Sequence, residues 1–487
     1  MRACCSFFPF LVLVGCSGGG PAPDVDDSGD SGQGWGGDSG SGNGGNGGNG
    51  GDSGSPSEVD PDPPVLDWQV LHGGPSGVEE LHEGVMGLAA DGGGGFVAWL
   101  DRRWRDDRED TREFVALAVD VDGLVPMPRR FTFDDDLRAL AFALAPDDDL
   151  VAVFGQDPIV ARLQADGALW TRRLTLGGAS SPDFHANDVG VDAQGAVYVT
   201  GEFESPHHGE PSGYLLKLAA DGTPLWLRSW ITLPTEAEQQ VAVADGTVFV
   251  MDTTPGPSDF SEVRRLFAFA PDGTLRAQTA LRIQGGPAVM AAGIVADGPR
   301  VALIGSRITG SRGAYALLVA HVVLDGDLAL VSRSGSEVAY GDVDASPLHV
   351  SRAPDGGLLA AASLGEHFGL FRLGAGETVM SAYDLVRQDD SSPAVLEDRP
   401  IRVAHLAGGR AVVGVTAEAP GTFSLVPRSS TSAAVPLELD TTGVEVATET
   451  LAGVDAGLTV TVGVDPDGVE DDPATGDQDG LLFGVTF

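Results

Sequence analysis

The chain is short of cysteine, of lysine and of long apolar runs. Its 487 residues hold only Cys4, Cys5 and Cys16, so nothing beyond residue 16 can form a disulfide framework or a CxxC metal or redox site. The main body must be held by its core alone. The first apolar stretch, Phe7 to Val14, is far shorter than the roughly 20 residues that cross a bilayer as a helix. Lys217 is the only lysine, and 29 basic residues against 71 acidic ones leave a formal charge of −42. A field of that sign repels phosphate backbones and excludes nucleic acid as a partner. None of the nine histidines stands in HExxH, and no cysteine nucleophile exists beyond Cys16.

What the first residues do contain is a compact export signal: one charge at Arg2, the apolar stretch, then the small Gly15 before Cys16. The run Leu13-Val14-Gly15-Cys16 resembles the lipobox of bacterial lipoproteins. The resemblance implies cleavage after residue 15 and acylation of Cys16, which becomes the new N-terminus. Ser17, in place of aspartate, then implies the outer membrane, with the chain facing the periplasm or the cell surface.

Residues 16–63 read as a tether. From Ser17 to Pro63 the chain is glycine, serine, asparagine, aspartate and proline, with too little apolar surface to offset the entropy of ordering. As a Gly/Ser coil it would reach roughly 35 to 40 Å, and its nine carboxylates with no basic residue would keep it extended. Gly-Asp-Ser-Gly occurs three times here, and GGNGGNGGNGG satisfies a loose phosphate-loop pattern. A nucleophilic serine needs a rigid turn, a base and an oxyanion hole, and a phosphate loop needs a strand before it and a helix after it. A polar tract supplies neither.

Residues 64–487 form a different kind of chain: β-branched and apolar runs separated by Asp-Gly turns, with no long helical periodicity, so the fold class is all-β. One set of turns includes Asp91-Gly92, Asp245-Gly246, Asp297-Gly298 and Asp355-Gly356, with Asp192-Ala-Gln-Gly195 as a longer version. A second set includes Asp122-Gly123, Asp166-Gly167, Asp221-Gly222, Asp272-Gly273 and Asp325-Gly326. Each unit reads strand, turn, strand, variable loop, strand, turn, strand, with a period near 50 residues, which predicts a β-propeller. First strands near residues 85, 137, 186, 238, 289, 347 and 401 give seven units. The unpaired VLDWQVLHGG at one end and GVEVATET, GLTVTVGV and GLLFGVTF at the other predict an eighth four-stranded blade closed by both termini; seven blades is the alternative. The stretch NDVGVDAQGAVYVTGEF with GYLLKLAADGTPLWLRSW resembles the SBBP-like propeller repeats of exported bacterial proteins. That resemblance implies architecture rather than chemistry. Trp68, Trp170 and Trp226, which share a place in the repeat, read as structural tryptophans bridging neighbouring blades.

Candidate binding groups fall on the face of the variable loops, since long dissimilar loops on a rigid scaffold are where such groups sit. DRRWRDDREDTRE (101–113) sets Trp104 among Arg102, Arg103 and Arg105, the composition of an interface anchor. GEFESPHHGEPSG carries Glu202, Glu204, His207, His208 and Glu210; His207 and His208 are candidates for partner binding, and the group as a whole for a metal. DPDGVEDDPATGDQDG (465–480) has seven carboxylates in sixteen residues; Asp465, Asp467, Asp471, Asp472, Asp477 and Asp479 are the candidate calcium ligands, although glycine stands at position 4 and not at the EF-hand position 6.

These readings add up to a lipid-anchored, monomeric envelope propeller that contacts the membrane through its anchor and binds a protein or small ligand. The competing expectation is a propeller hydrolase or lyase. A channel pocket collecting His, Arg and Asp or Glu from several blades would favour the enzyme, and a channel of small apolar residues would favour the binding module. Calcium bound to residues 465–479 should raise stability by about 2.7 kcal/mol at a hundredfold excess over its Kd. A melting-temperature titration with calcium and magnesium at constant ionic strength checks this. Specific binding shifts the midpoint with calcium alone; equal shifts would reduce the segment to a solvated acidic turn.

Overall fold

Alternation of apolar and polar residues, broken by Asp-Gly, builds hairpins throughout. In the computed structural model the described residues form 34 strands, β1 to β34 in chain order, between residues 65 and 486. Residues 1–64, Phe487 and many connections, among them 73–80, 121–128, 177–183, 388–401 and 465–478, lie outside the described residues, and for parts of several strands only the backbone is described.

The described strands make seven antiparallel sheets. Their innermost strands are β2 (Leu81–Ala90), β6 (Ala139–Leu144), β10 (His185–Val191), β14 (Gln240–Ala244), β18 (Met290–Asp297), β22 (Ala345–Arg352) and β26 (Arg402–His405). Each touches the next in that order, and β26 touches β2, so the sheets close into a ring around a channel. Apolar clusters fill the spaces between neighbouring blades. One joins Val85, Phe96 and Leu100 of the first blade to Ala404, Val412 and Leu482 of the last, across the seam. Others join the first blade to the second, the second to the third and the third to the fourth.

The expected eighth blade is not formed, because the C-terminal strands do not stay together. After β27 (Arg410–Ala417) the chain turns back and runs around the outside of the ring in reverse. It lays β28 (Phe423–Pro427), β29 (Thr431–Ala434), β30 (Leu437–Asp440), β31 (Val446–Glu449), β32 (Leu451–Ala456) and β33 (Val460–Val464) on the sixth, fifth, fourth, third, second and first blades as fifth strands. GVEVATET and GLTVTVGV thus end in two different blades. Only β34 (Asp479–Thr486) reaches the seventh, where it lies between β27 and β1 (Val65–His72). The physical reason is edge satisfaction: each return strand covers a row of backbone donors and acceptors left open at a blade's rim. The seventh blade has only two consecutive strands of its own, so both termini are drawn into it.

The Asp-Gly turns have a second role. Gly195, Gly222, Gly246, Gly273, Gly298 and Gly356 all take positive φ. At four of them the glycine N–H bonds the carbonyl three residues back at 2.8–2.9 Å, the type I turn with a following αL glycine. Trp170, in β9 (Gly167–Leu176), lies over Gly222 of the next blade and donates Nε1 to Ala220 O at 2.8 Å. Trp226, in β13 (Pro224–Ile231), repeats this over Gly273, donating to Pro271 O at 3.0 Å. Arg172 and Arg228 stack on the two indoles and bond the same turns. The two tryptophans therefore bridge neighbouring blades as expected; the Trp68 side chain lies outside the described residues. One layer in, Arg162 pairs with Asp149 at 2.9 Å and reaches Gly195 O and Ala220 O of the third blade. Lys217 does the same one blade on, between Asp192, the Tyr198 ring and Pro271 O.

Strand order in the seventh blade makes the two termini unequal. Deleting residues 479–487 removes an interior strand and exposes two edges, and is expected to abolish cooperative unfolding. Deleting 65–72 removes an outer strand and should lower the melting midpoint while leaving the transition cooperative. Equal damage from both deletions, measured by calorimetry, would contradict this order.

Candidate functional site in the central channel

The inner strands carry a repeated irregularity. Register slips by one residue between Val85 and Gly87, Ala139 and Ala141, Ala186 and Asp188, Ala291 and Gly293, and Pro347 and His349. A bulge at one level of five inner strands re-aims the residue after it. Those residues are Gly87, Ala141, Asp188, Gly293 and His349, and Gln240 and Arg402 hold the matching places on β14 and β26. The correspondence is visible in the bonding: Asp188 Oδ2 accepts from Val241 N at 2.8 Å, and His349 Nδ1 accepts from Val403 N at 3.3 Å. Where the position is glycine, the next blade's side chain fills it. A Cβ on Gly87 would fall on the Phe142 ring, and one on Gly293 would meet Val350. Arg402 closes the series by donating Nε to Met86 O at 2.8 Å.

This level of the channel encloses a cavity of about 200 Å³. Asp188, Gln239 and Gln240 line it from the third and fourth blades, and His349 and Arg402 from the sixth and seventh. Burial, with Arg402 nearby, pushes His349 down to about 3, so it is neutral at neutral pH. With Nδ1 accepting, its proton sits on Nε2, which makes that nitrogen a donor.

Behind Asn187 and Gln239 a buried polar network runs outward. Asn187 Nδ2 donates to Gln239 Oε1, and Gln239 Nε2 bonds both Glu202 Oε1 (2.8 Å) and Asp252 Oδ1 (3.0 Å). Asp252 has no exposed surface and also accepts from Trp230 Nε1, Thr232 Oγ1 and its neighbour Thr253 N. Burial pushes its carboxyl up to about 6 despite these donors, and it raises Glu202 as well.

The residues singled out from sequence lie elsewhere. The segment 101–113 is not a loop: β3 (Phe96–Asp106) and β4 (Glu109–Val119) pair through it as far as Asp106 and Glu109. Two opposite-charge pairs face each other across the hairpin, Arg102 with Glu113 and Arg105 with Asp110, and although Arg103 faces Arg112 and Asp106 faces Glu109, Arg112 bonds Asp101 on the diagonal. Arg102 is buried against Glu113 at 2.8 Å, a core ion pair rather than a surface anchor. Arg103 is half exposed, 3.9 Å from Asp101. Trp104 and Arg105 sit at paired positions opposite Thr111 and Asp110, with side chains outside the described residues. His207 is exposed, with Nε2 3.5 Å from Glu445 of the return segment, and the backbone amides of His207 and His208 both bond Ser205 Oγ. Among the described residues no three His, Cys, Asp or Glu side chains are grouped to hold a metal. Cys16 and Asp465, Asp467, Asp471, Asp472 and Asp477 lie outside the described residues, and Asp479 opens β34 opposite Ala417.

Sequence reasoning missed the channel residues. The signal that could have found them is a polar residue directly before an apolar inner run, as in Asp188-Val189, Gln240-Val241, His349-Val350 and Arg402-Val403.

No protein-family model and no curated protein matches the chain. Solved structures similar to it include XC5397 from Xanthomonas campestris, described as a gluconolactonase, at 16% identity over 62% of this chain and 94% of that one, TM-score 0.31. A protein from Lactobacillus plantarum matches at 16% identity over 74% and 99%, TM-score 0.32. The apocarotenoid oxygenase of Synechocystis matches at 12% identity over 74% and 96%, TM-score 0.27. At these TM-scores the likeness carries no argument about what this chain binds or does.

The raised Asp252 pKa has a stability consequence. The folded state holds this proton more tightly than the unfolded chain, so the contribution is fully present below about pH 4 and is lost as pH rises through about 6. The span corresponds to about 3 kcal/mol. In Asp252→Asn this pH-dependent part is expected to vanish, so the stability gap between wild type and variant should change by up to that amount between pH 4 and 7. Parallel denaturation profiles across that range would assign the effect to Glu202, which burial also raises.

Proposed function

We propose that this chain is a lipid-anchored envelope protein whose propeller is a binding module, tethered through an acylated Cys16 at the outer membrane and monomeric. Calcium on the acidic segment 465–479 and a protein partner at the Trp104 hairpin belong to the same proposal. The observation that carries the choice of binding over catalysis is how the channel side chains are employed. Asp188 accepts Val241 N and its own neighbour's Val189 N, His349 accepts Val403 N, and Arg402 donates to Met86 O. Asp188 and His349 thus spend acceptor capacity on the next blade, and Arg402 commits its Nε to the first. A general base needs that capacity for substrate, and a neutral histidine held at Nδ1 by a backbone amide presents a donor to the channel, not a base.

A second reading rests on the same cavity. It is not lined by small apolar residues alone; Asp188, His349 and Arg402 converge on it from three blades, the arrangement named above for a hydrolase or lyase. Two measurements separate these readings. Fatty-acid labelling of cells should mark the wild type and leave Cys16→Ala unlabelled; label persisting on the variant removes the anchor. The purified chain should show no turnover of ester and lactone substrates above background. Turnover that disappears in His349→Gln would replace the binding module with the enzyme.

A further inference from the structure

The channel cavity has two poles. In a ring of seven the seventh blade stands opposite the junction of the third and fourth, so Arg402 faces Asp188, Gln239 and Gln240 across the cavity, with His349 beside it. The flanks between the poles are apolar: Leu140 and Phe142 on one side, Ile294 on the other. One pole presents a guanidinium and a histidine Nε2–H, which are donors to an anion. The other presents the Asp188 carboxylate and the Gln240 amide, which can accept from a cation; Gln239, fully buried with its Oε1 already accepting from Asn187, lies behind them, and Glu202 and Asp252 beyond it add to the negative potential. The ionic side chains that line the cavity, Asp188 and Arg402, cancel. A ligand matched to it therefore carries both signs and no net charge.

Two further facts narrow the class. With the tether carboxylates and Arg2 set aside, 62 acidic residues against 28 basic ones surround the channel, so a simple anion approaches against the field of the whole domain. A cavity of about 200 Å³ is smaller than the roughly 300–1,000 Å³ of sites for drug-sized molecules.

Resting on the binding-module reading above, we propose that the channel cavity binds a small zwitterion of the α-amino-acid type, its carboxylate at Arg402 and His349 and its ammonium at Asp188 and Gln240. Bulges turn Asp188 and His349 inward, and the next blade's backbone fixes both of these side chains before any ligand arrives. Preorganisation of this kind lowers the entropy lost on binding.

The test is calorimetry on the mature full-length chain with the twenty free L-amino acids, alongside ethanolamine and lactate as probes carrying one charge each. At least one amino acid should bind with one-to-one stoichiometry, and at least tenfold tighter than either single-charge probe. Asp188→Asn keeps an acceptor for Val241 N while removing the charge, so it should weaken binding tenfold or more in a chain that still unfolds cooperatively. If that variant does not fold, Gln240→Leu serves the same purpose at the same pole. Ethanolamine or lactate binding as tightly as any amino acid overturns the ligand class but leaves the binding module standing. So does amino-acid binding that neither substitution weakens. A bound amino acid released chemically altered keeps the ligand class and overturns the module. No binding by any probe at about 10 mM, a free energy weaker than about −3 kcal/mol, overturns the proposal.

Discussion

Everything in this molecule depends on one strand pairing, that of Asp479–Thr486 with Arg410–Ala417 on one side and Val65–His72 on the other. Without it the seventh blade is a two-stranded hairpin, marginal by itself in water. Its loss would leave the apolar contact of Leu482 with the first blade unmade and the ring open. The channel level exists only in the closed ring, because Arg402 reaches Met86 O across that same seam. Closure is therefore a condition for the site as well as for the fold.

Between blades the contact surfaces repeat one solution in three layers. Near the channel, the residue after the bulge bonds the next blade's backbone at Asp188 and His349 and is a glycine that admits the next blade's side chain at Gly87 and Gly293. In the middle lie the apolar clusters. At the rim, tryptophan and arginine grip the neighbouring Asp-Gly turn, and glycine is required there for two reasons at once: its positive φ and the absence of a Cβ under the indole. Buried cations at Arg162 and Lys217 join the layers, each satisfied by a carboxylate and by carbonyls from the following blade. A buried charge without such partners would be strongly destabilising.

How much of this the sequence disclosed follows from length scales. Alternation over five to eleven residues and Asp-Gly turns mark the strands of the blades, and the inner strands fall within a few residues of where the repeat places them. Several return strands escape that reading: TSAA and LELD, at four residues each, carry no alternation long enough to register, and although GVEVATET and GLTVTVGV read as strands, their separate places are decided by open edges of blades formed much earlier in the chain. GLLFGVTF and VLDWQVLH do carry strand patterning, and that they belong together was readable; that they enter an existing blade was not. The bulges are single-residue slips within ordinary strands, so the inward turn of Asp188 and His349 leaves no mark beyond one polar residue before an apolar run. Segment 101–113 misleads for the opposite reason: its charges suggest a solvated loop, yet Arg102 and Glu113 lie opposite each other in the sheet and are buried as a pair.

The reversed outer course of the chain also orders events in time. Synthesis proceeds from Val65 toward Thr486, so the first strand made waits for the last. While the final residues are still within the ribosome, six blades can pair their own four strands, but each keeps an uncovered rim and the seventh keeps a gap where β34 belongs. Vectorial folding of the kind that lets domains mature one after another has no stopping point here. The ring is completed only once Asp479–Thr486 has emerged and slotted between Arg410–Ala417 and Val65–His72.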